Sequence, residues 1–305
     1  MSMIDDIFLR VSFLIFITGL GWLAGSVLRL GAKDISLLLV YIVAPFVIFL
    51  AILQSPADWS YFAYSAGALL TASLAACAAY AVGRLLWRDG RANLFAFAGG
   101  TGNTGYFALP LVFALFDERQ TAIAIFIIIG INLYEFTVGY FITARGALDT
   151  KKSLISIIKL PIIYAALAGI LCKSLGLIPG EAILSSLENF KGAYSILGMM
   201  VIGITFSSRS RFELDWGFLL ATLGWKHLVY PLVGLTVFYY LLPIPPDALP
   251  VIALMLATPM AANTVVIANA LAVHPEKAAT SVMLSTLLAL VSVPLAVTWI
   301  EKLVA

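Results

Sequence analysis

Residues 99–105 read Gly99-Gly100-Thr101-Gly102-Asn103-Thr104-Gly105, and Pro110 follows in the same apolar stretch. Glycine in a helix interior costs about 1 kcal/mol relative to alanine, and proline about 3. Four glycines in seven residues therefore predict a helix broken near its middle. At membrane depth such a break survives only where protein or a water-filled cavity satisfies the freed backbone groups.

The flanking sequence establishes that this is membrane depth. Of 305 residues, 62% are hydrophobic and 11% charged, where soluble domains carry about a quarter charged residues. The charges gather in short stretches between long apolar runs, the pattern of a lipid-embedded helical chain. A net charge of +2 gives nucleic acid no footing. Cys77 and Cys172 each lie in an apolar run and read as small buried apolar residues, with no disulfide or zinc pattern. The run from Ile7 to Leu30 is too long for a signal-peptide core and reads as a first span.

At about 20 apolar residues per crossing, the chain divides into ten spans: 7–30, 34–54, 60–87, 92–116, 119–144, 153–176, 183–207, 215–242, 247–271 and 277–300. Alternating connectors put Arg29, Lys33, Arg84, Arg88, Arg91, Arg145, Lys151, Lys152, Arg209, Arg211 and Lys277 on one side. Only Arg119, Lys173 and Lys302 fall on the other. The positive-inside rule makes the first side cytoplasmic and both termini extracytoplasmic.

Ten spans divide as five plus five, so two halves, 1–146 and 147–305, would insert in opposite orientations as inverted repeats. The fourth span of the second half contains Thr258-Pro259-Met260-Ala261-Ala262-Asn263-Thr264, a second predicted break. Asn103-Thr104 and Asn263-Thr264 then occupy equivalent places. Half-helix N-termini carry unpaired N–H groups and positive partial charge, which suits a carboxylate. The expected binding residues are Gly102, Asn103, Thr104, Gly105, Pro110, Pro259, Ala261, Asn263 and Thr264.

Ionisable groups at depth mark functional sites. Glu135 lies in the fifth span, and Lys226 and His227 lie in the eighth. Glu135 and Lys226 are read as coupling or charge-compensating residues, or as a structural pair. Glu188 and Lys191 read as interfacial or paired, Arg10 and Lys159 as snorkelling, and His274 before Pro275 as a turn or capping residue. Gly100-Thr-Gly102-Asn-Thr-Gly105 matches the dinucleotide fingerprint G-x-G-x-x-G, but it sits inside an apolar span and no acidic residue follows at the required distance.

Together these stretches resemble the auxin efflux carrier superfamily in its compact bacterial form. Asn103-Thr104, five residues, then Pro110-Leu111 is similar to that family's N-T-x5-P-L; Pro259, Val265-Val266-Ile267-Ala268 and Val273-His274-Pro275 are similar to its partner helix. Tyr41 to Pro45, Lys226 to Pro231, and the glycines Gly198 and Gly203 complete a likeness running from about residue 40 to 295. The resemblance implies crossed, broken fourth and ninth helices. It implies a dimerising scaffold of spans 1, 2, 6 and 7, and a mobile transport bundle of spans 3–5 and 8–10. It also implies a secondary carrier in the cell membrane for indole acids or dicarboxylates such as malate and malonate. Such a carrier would be driven by membrane potential or an ion gradient; coupling to protons or sodium and a different anionic metabolite is the alternative. Arg145–Lys152 leaves no room for the long loop of plant members. No cofactor or metal is implied. A channel would show a filter or charged ring, and an enzyme a nucleophile–base set or metal ligands; neither pattern occurs.

Single-cysteine labelling on a background lacking Cys77 and Cys172 should find the Arg84–Arg91 connector reactive only from the cytoplasm. Labelling from outside would invert the orientation and undo the span count.

Overall fold

The computed structural model describes residues 3–144, 161–207, 214–242 and 244–304. Arg145, Lys151, Lys152, Lys159, Arg209, Arg211 and the start of the sixth expected span lie outside them. The described residues are helical, with no strand. In chain order the helices are α1 (Met3–Val27), α2 (Ala32–Gln54), α3 (Trp59–Leu86), α4 (Arg91–Gly100), α5 (Leu109–Leu115) and α6 (Glu118–Thr143). They continue as α7 (Pro161–Ser174), α8 (Glu181–Ser207), α9 (Trp216–Leu241), α10 (Pro246–Leu256), α11 (Asn263–Ala270) and α12 (Pro275–Val304).

Seven of these, α1, α2, α3, α6, α8, α9 and α12, are long and apolar enough to cross a bilayer. The other three expected spans are α7 and two stretches that are each interrupted, α4 with α5 and α10 with α11. A length rule misses an interrupted span because neither piece has 18 continuous residues.

Wide π turns interrupt the helical ladder at Leu39–Val43, Thr104–Ala108, Glu135–Gly139 and Trp225–Val229. Three of them run directly into a segment whose second residue is proline: Pro45, Pro110 and Pro231. The proline ring lacks an N–H and clashes with the carbonyl four residues back, so the preceding turn widens. The turn at Glu135 has no such proline.

Helix α6 is the inner helix, with 72% of its most apolar window buried, against 33% for α1. The outward faces of α1 and α9 carry Phe13, Phe16, Trp22, Leu228 and Leu232, as lipid contact allows. For the same reason Cys77 departs from expectation. It is exposed, and Cys172 is only half-buried; a lipid face is as apolar as a protein interior, so an apolar run does not imply burial. Both remain free thiols. Helix α1 runs closely along α8, because Gly21 and Gly203 leave no room for a Cβ at the contact.

Ion pairs tie connectors at both ends. Asp215 caps α9 by accepting the Phe218 N–H and also accepts Lys277 Nζ and Arg91 Nη1, both at 3.0 Å. Asp89 pairs with Arg91 at 3.1 Å, and His274 Nε2 lies 3.9 Å from it. Arg91 and Lys277, expected on one side, do meet. Elsewhere Arg119 pairs with Asp247 at 2.7 Å. Glu188 and Lys191 pair at 2.9 Å, as expected. His274 opens α12 with a positive φ of 45° while its carbonyl accepts the Ala278 N–H.

The Lys277 ammonium, the Phe218 N–H and the Arg91 guanidinium hold the Asp215 carboxyl down from 3.8 to about 2. A depressed carboxylate contributes stability above its unfolded value and loses it as pH falls through the folded one. Asp215→Asn should therefore lower the melting temperature at neutral pH. Melting curves of the two proteins should converge as pH falls from 3.8 to about 2.

Candidate functional site

Helix α4 stops at Gly100, and Thr101 turns extended (φ −105°, ψ 163°). Asn103 (φ −76°, ψ 60°) then caps the next turn, its Oδ1 accepting the Phe107 N–H at 3.3 Å. The Thr104 N–H closes a tight loop onto the Gly102 carbonyl at 2.8 Å. In the second interruption residues 257–262 separate α10 from α11. The two breaks are joined directly: the Asn103 N–H donates to the Pro259 carbonyl at 2.8 Å.

Glycines set how closely the breaks approach their neighbours. A Cβ on Gly102 would stand 2.5 Å from Thr258 Oγ1 and 2.8 Å from Lys226 Nζ. Lys226 thus lies behind Gly102, fully buried, its ammonium 3.8 Å from the Tyr230 ring centroid and without a hydrogen-bond partner among the described residues. A pair of aromatic rings interlocks with glycines on the facing helix. Tyr106 packs on Gly198 of α8, and the Tyr194 hydroxyl of α8 sits on Gly105, with ring centroids 5.6 Å apart.

Glu135 draws the elements together. Its Oε1 is hydrogen-bonded to the Thr101 hydroxyl of the first break. Its Oε2 accepts Asn263 Nδ2 of the second at 2.6 Å. His227 is half-buried away from the cavity, its two ring nitrogens against the hydroxyls of Ser292 (3.0 Å) and Ser285 (2.8 Å). Ser285 also accepts the Met260 N–H at 2.9 Å, so this chain holds the second break from behind.

A cavity of about 110 Å³ opens where these parts meet. That exceeds the roughly 10–15 Å³ needed for one water. Its polar wall is Gly102, Asn103, Thr104, Asn132, Glu135 and Asn263; its apolar wall includes Ala44, Ile48, Tyr106, Leu109, Ile131 and Tyr194. Gly105 and Ala261 also line it. Of the residues expected from sequence, Pro110, Pro259, Thr264 and Lys226 stand off the wall. Pro110 shapes the turn, Pro259 supplies the carbonyl for Asn103, and the Thr264 hydroxyl is buried without a partner. The matched asparagines differ in use. Asn263 spends its amide on Glu135, whereas Asn103 Nδ2 is buried without a partner beside the cavity. Tyr106, Asn132 and Tyr194 were missed. Tyr106 directly follows the glycine-rich run, and nothing in the pattern marks Tyr194.

A family model described as membrane transport protein matches residues 6–297, nearly the whole chain. The chain belongs to this family. It is the membrane transport family of the auxin efflux carriers, so the resemblance of the motifs holds for the chain as a whole, and the protein is a multi-pass membrane transporter. No curated protein matches the chain. In this family setting the joined breaks and their cavity are the candidate transport site.

Asn103→Ala and Asn263→Ala should separate in purified protein. Asn103→Ala should weaken binding of a carboxylate by about 1.5–3 kcal/mol, the worth of a hydrogen bond to a charged group. Asn263→Ala should lower the melting temperature, because it strips Glu135 Oε2 of its donor. Wild-type affinity in Asn103→Ala would show that its amide serves packing alone.

Proposed function

We propose that the protein is an alternating-access carrier of small organic anions, working by an elevator-like movement. The observation that carries this reading is the direct joining of two helix interruptions, Asn103 N–H to Pro259 C=O, beside a cavity with an unpartnered amide donor. In this reading the ten spans form two inverted repeats, 1–146 and 147–305, with the broken fourth and ninth spans crossing. Both termini are extracytoplasmic in the cell membrane. Helices α1, α2, α7 and α8 pack together, and α3, α4, α6, α9, α10 and α12 pack together; the two groups meet where α1 lies against α12 and α2 against α6. That division supports a scaffold, dimeric as in the family, and a separate transport bundle. The cavity has walls from both groups, as a site carried along a scaffold requires. Either membrane potential or an ion gradient drives the movement.

The cavity wall also favours one class of cargo. It has a single polar pole, and no Lys, Arg or His lines it among the described residues. A second carboxylate of malate or malonate would meet apolar wall, and burying a charge without a partner is costly. A monocarboxylate with an apolar body, such as an indole or phenyl acid, fits better than a dicarboxylate.

Proteoliposome uptake of indole-3-acetate, phenylacetate, malate and malonate tests both parts. The two monocarboxylates should compete with each other more strongly than the dicarboxylates do. A bifunctional crosslinker joining cysteines at Ala44 of α2 and Leu109 of α5, which both line the cavity, should abolish uptake while leaving binding from one side. Undiminished uptake in fully crosslinked protein would exclude relative movement and leave local gating.

A further inference from the structure

We propose that Glu135 takes up a proton together with each anion, so that anion and proton cross as one uncharged load. This rests on the anion-carrier reading above and adds the coupling ion to it.

The geometry at the carboxyl group is asymmetric. Glu135 is 2% exposed and forms part of the cavity wall. Its Oε2 faces Asn263 Nδ2, a group that only donates, so this oxygen is fixed as an acceptor. Its Oε1 faces the fully buried Thr101 hydroxyl, which both donates and accepts. Thr101 can donate to a carboxylate, or turn its hydrogen away and accept from a carboxylic acid. Both protonation states are therefore satisfied without moving a heavy atom. An arginine or lysine in place of Thr101 would have tied Glu135 to its ionised form.

The surrounding charges give the proton its purpose. No cation forms an ion pair with Glu135 among the described residues. From α9, the Lys226 ammonium lies beyond Gly102, with Tyr230 against it. From α6 itself, Tyr134 donates its hydroxyl to the carbonyls of Ala96 and Phe97, both on α4. From α3, Cys77 is exposed. Tyr106 and Tyr194 share the cavity wall, and α11 presents only the amide of Asn263. With the cavity empty, the Glu135 carboxylate and the Lys226 ammonium balance. An arriving monocarboxylate adds one uncompensated negative charge in a low-dielectric site, which costs several kcal/mol. A proton on Glu135 restores the balance. It comes from water in the cavity, adds to a lone pair of Oε1, and returns to water on the other side when the anion leaves.

Calorimetric titration of the detergent-purified full chain with indole-3-acetate and with phenylacetate, near neutral pH in two buffers of different ionisation enthalpy, counts the protons. Wild type should take up about one proton per anion bound. In Glu135→Gln, a permanent mimic of the protonated acid, any anion that binds should do so without proton uptake and with an affinity independent of pH. Binding by wild type with no proton uptake, or equal uptake in Glu135→Gln, overturns the proposal while leaving the anion carrier intact. Should the variant fail to fold, infrared difference spectra of wild type decide: a protonated-carboxyl band must appear on adding either acid, and its absence overturns the proposal. If no mono- or dicarboxylate binds wild type, the anion-carrier reading itself fails and takes the proton with it.

Discussion

Where the chain leaves its helical ladder in an apolar interior, each freed N–H or C=O needs a new partner or costs several kcal/mol. The first break meets that demand partly within itself, Thr104 N–H on the Gly102 carbonyl, and partly through the other break. The Asn103 N–H takes the Pro259 carbonyl, and the Thr101 hydroxyl takes Glu135, which in turn holds Asn263. The two interruptions share one backbone hydrogen bond and the Glu135 bridge, and the cavity lies beside that junction. The absence of a Cβ at Gly102 lets Thr258 and Lys226 close in from behind, and the cavity on the other side is walled by α2, α6, α7 and α8.

This shared bonding explains why ionisable side chains accompany the breaks. A carboxylate offers two acceptor oxygens and can join a hydroxyl and an amide that come from different segments. Lys226 is accommodated differently, over an aromatic face and against glycine, where cation–π attraction substitutes for part of its lost hydration. The π turns at Glu135 and Trp225–Val229 bring these two side chains inward. An added residue in a turn rotates the remainder of the helix about its axis, re-aiming groups that a regular ladder would point elsewhere.

The breaks were legible because glycine and proline act through backbone energetics that depend little on context. The long spans were legible because lipid demands continuous apolar length. The direction of individual side chains was not. Lys226 and Thr264 lie near the breaks yet off the cavity wall, and the Asn103-Thr104 and Asn263-Thr264 pairs serve different partners. In a soluble helix the polar stripe would report rotation about the axis. Here lipid-facing and protein-facing sides are both apolar, as the exposed Cys77 illustrates, so the periodicity that would orient Tyr194 towards the site is missing.

The interlock of Tyr106 on Gly198 and Tyr194 on Gly105 acts as a mechanical detent. A ring seated in a notch made by a missing side chain resists small displacements in either direction along α8. Tyr194 and Gly198 are four residues apart, so ring and notch lie about 6 Å apart along this face. Any sliding of the first break along α8 must lift both rings over their neighbours before they can settle again. In the elevator movement proposed above, the intermediate positions would be sterically unfavourable and the travel would divide into steps. In that proposal the glycines that allow close approach would also give the bundle its resting place.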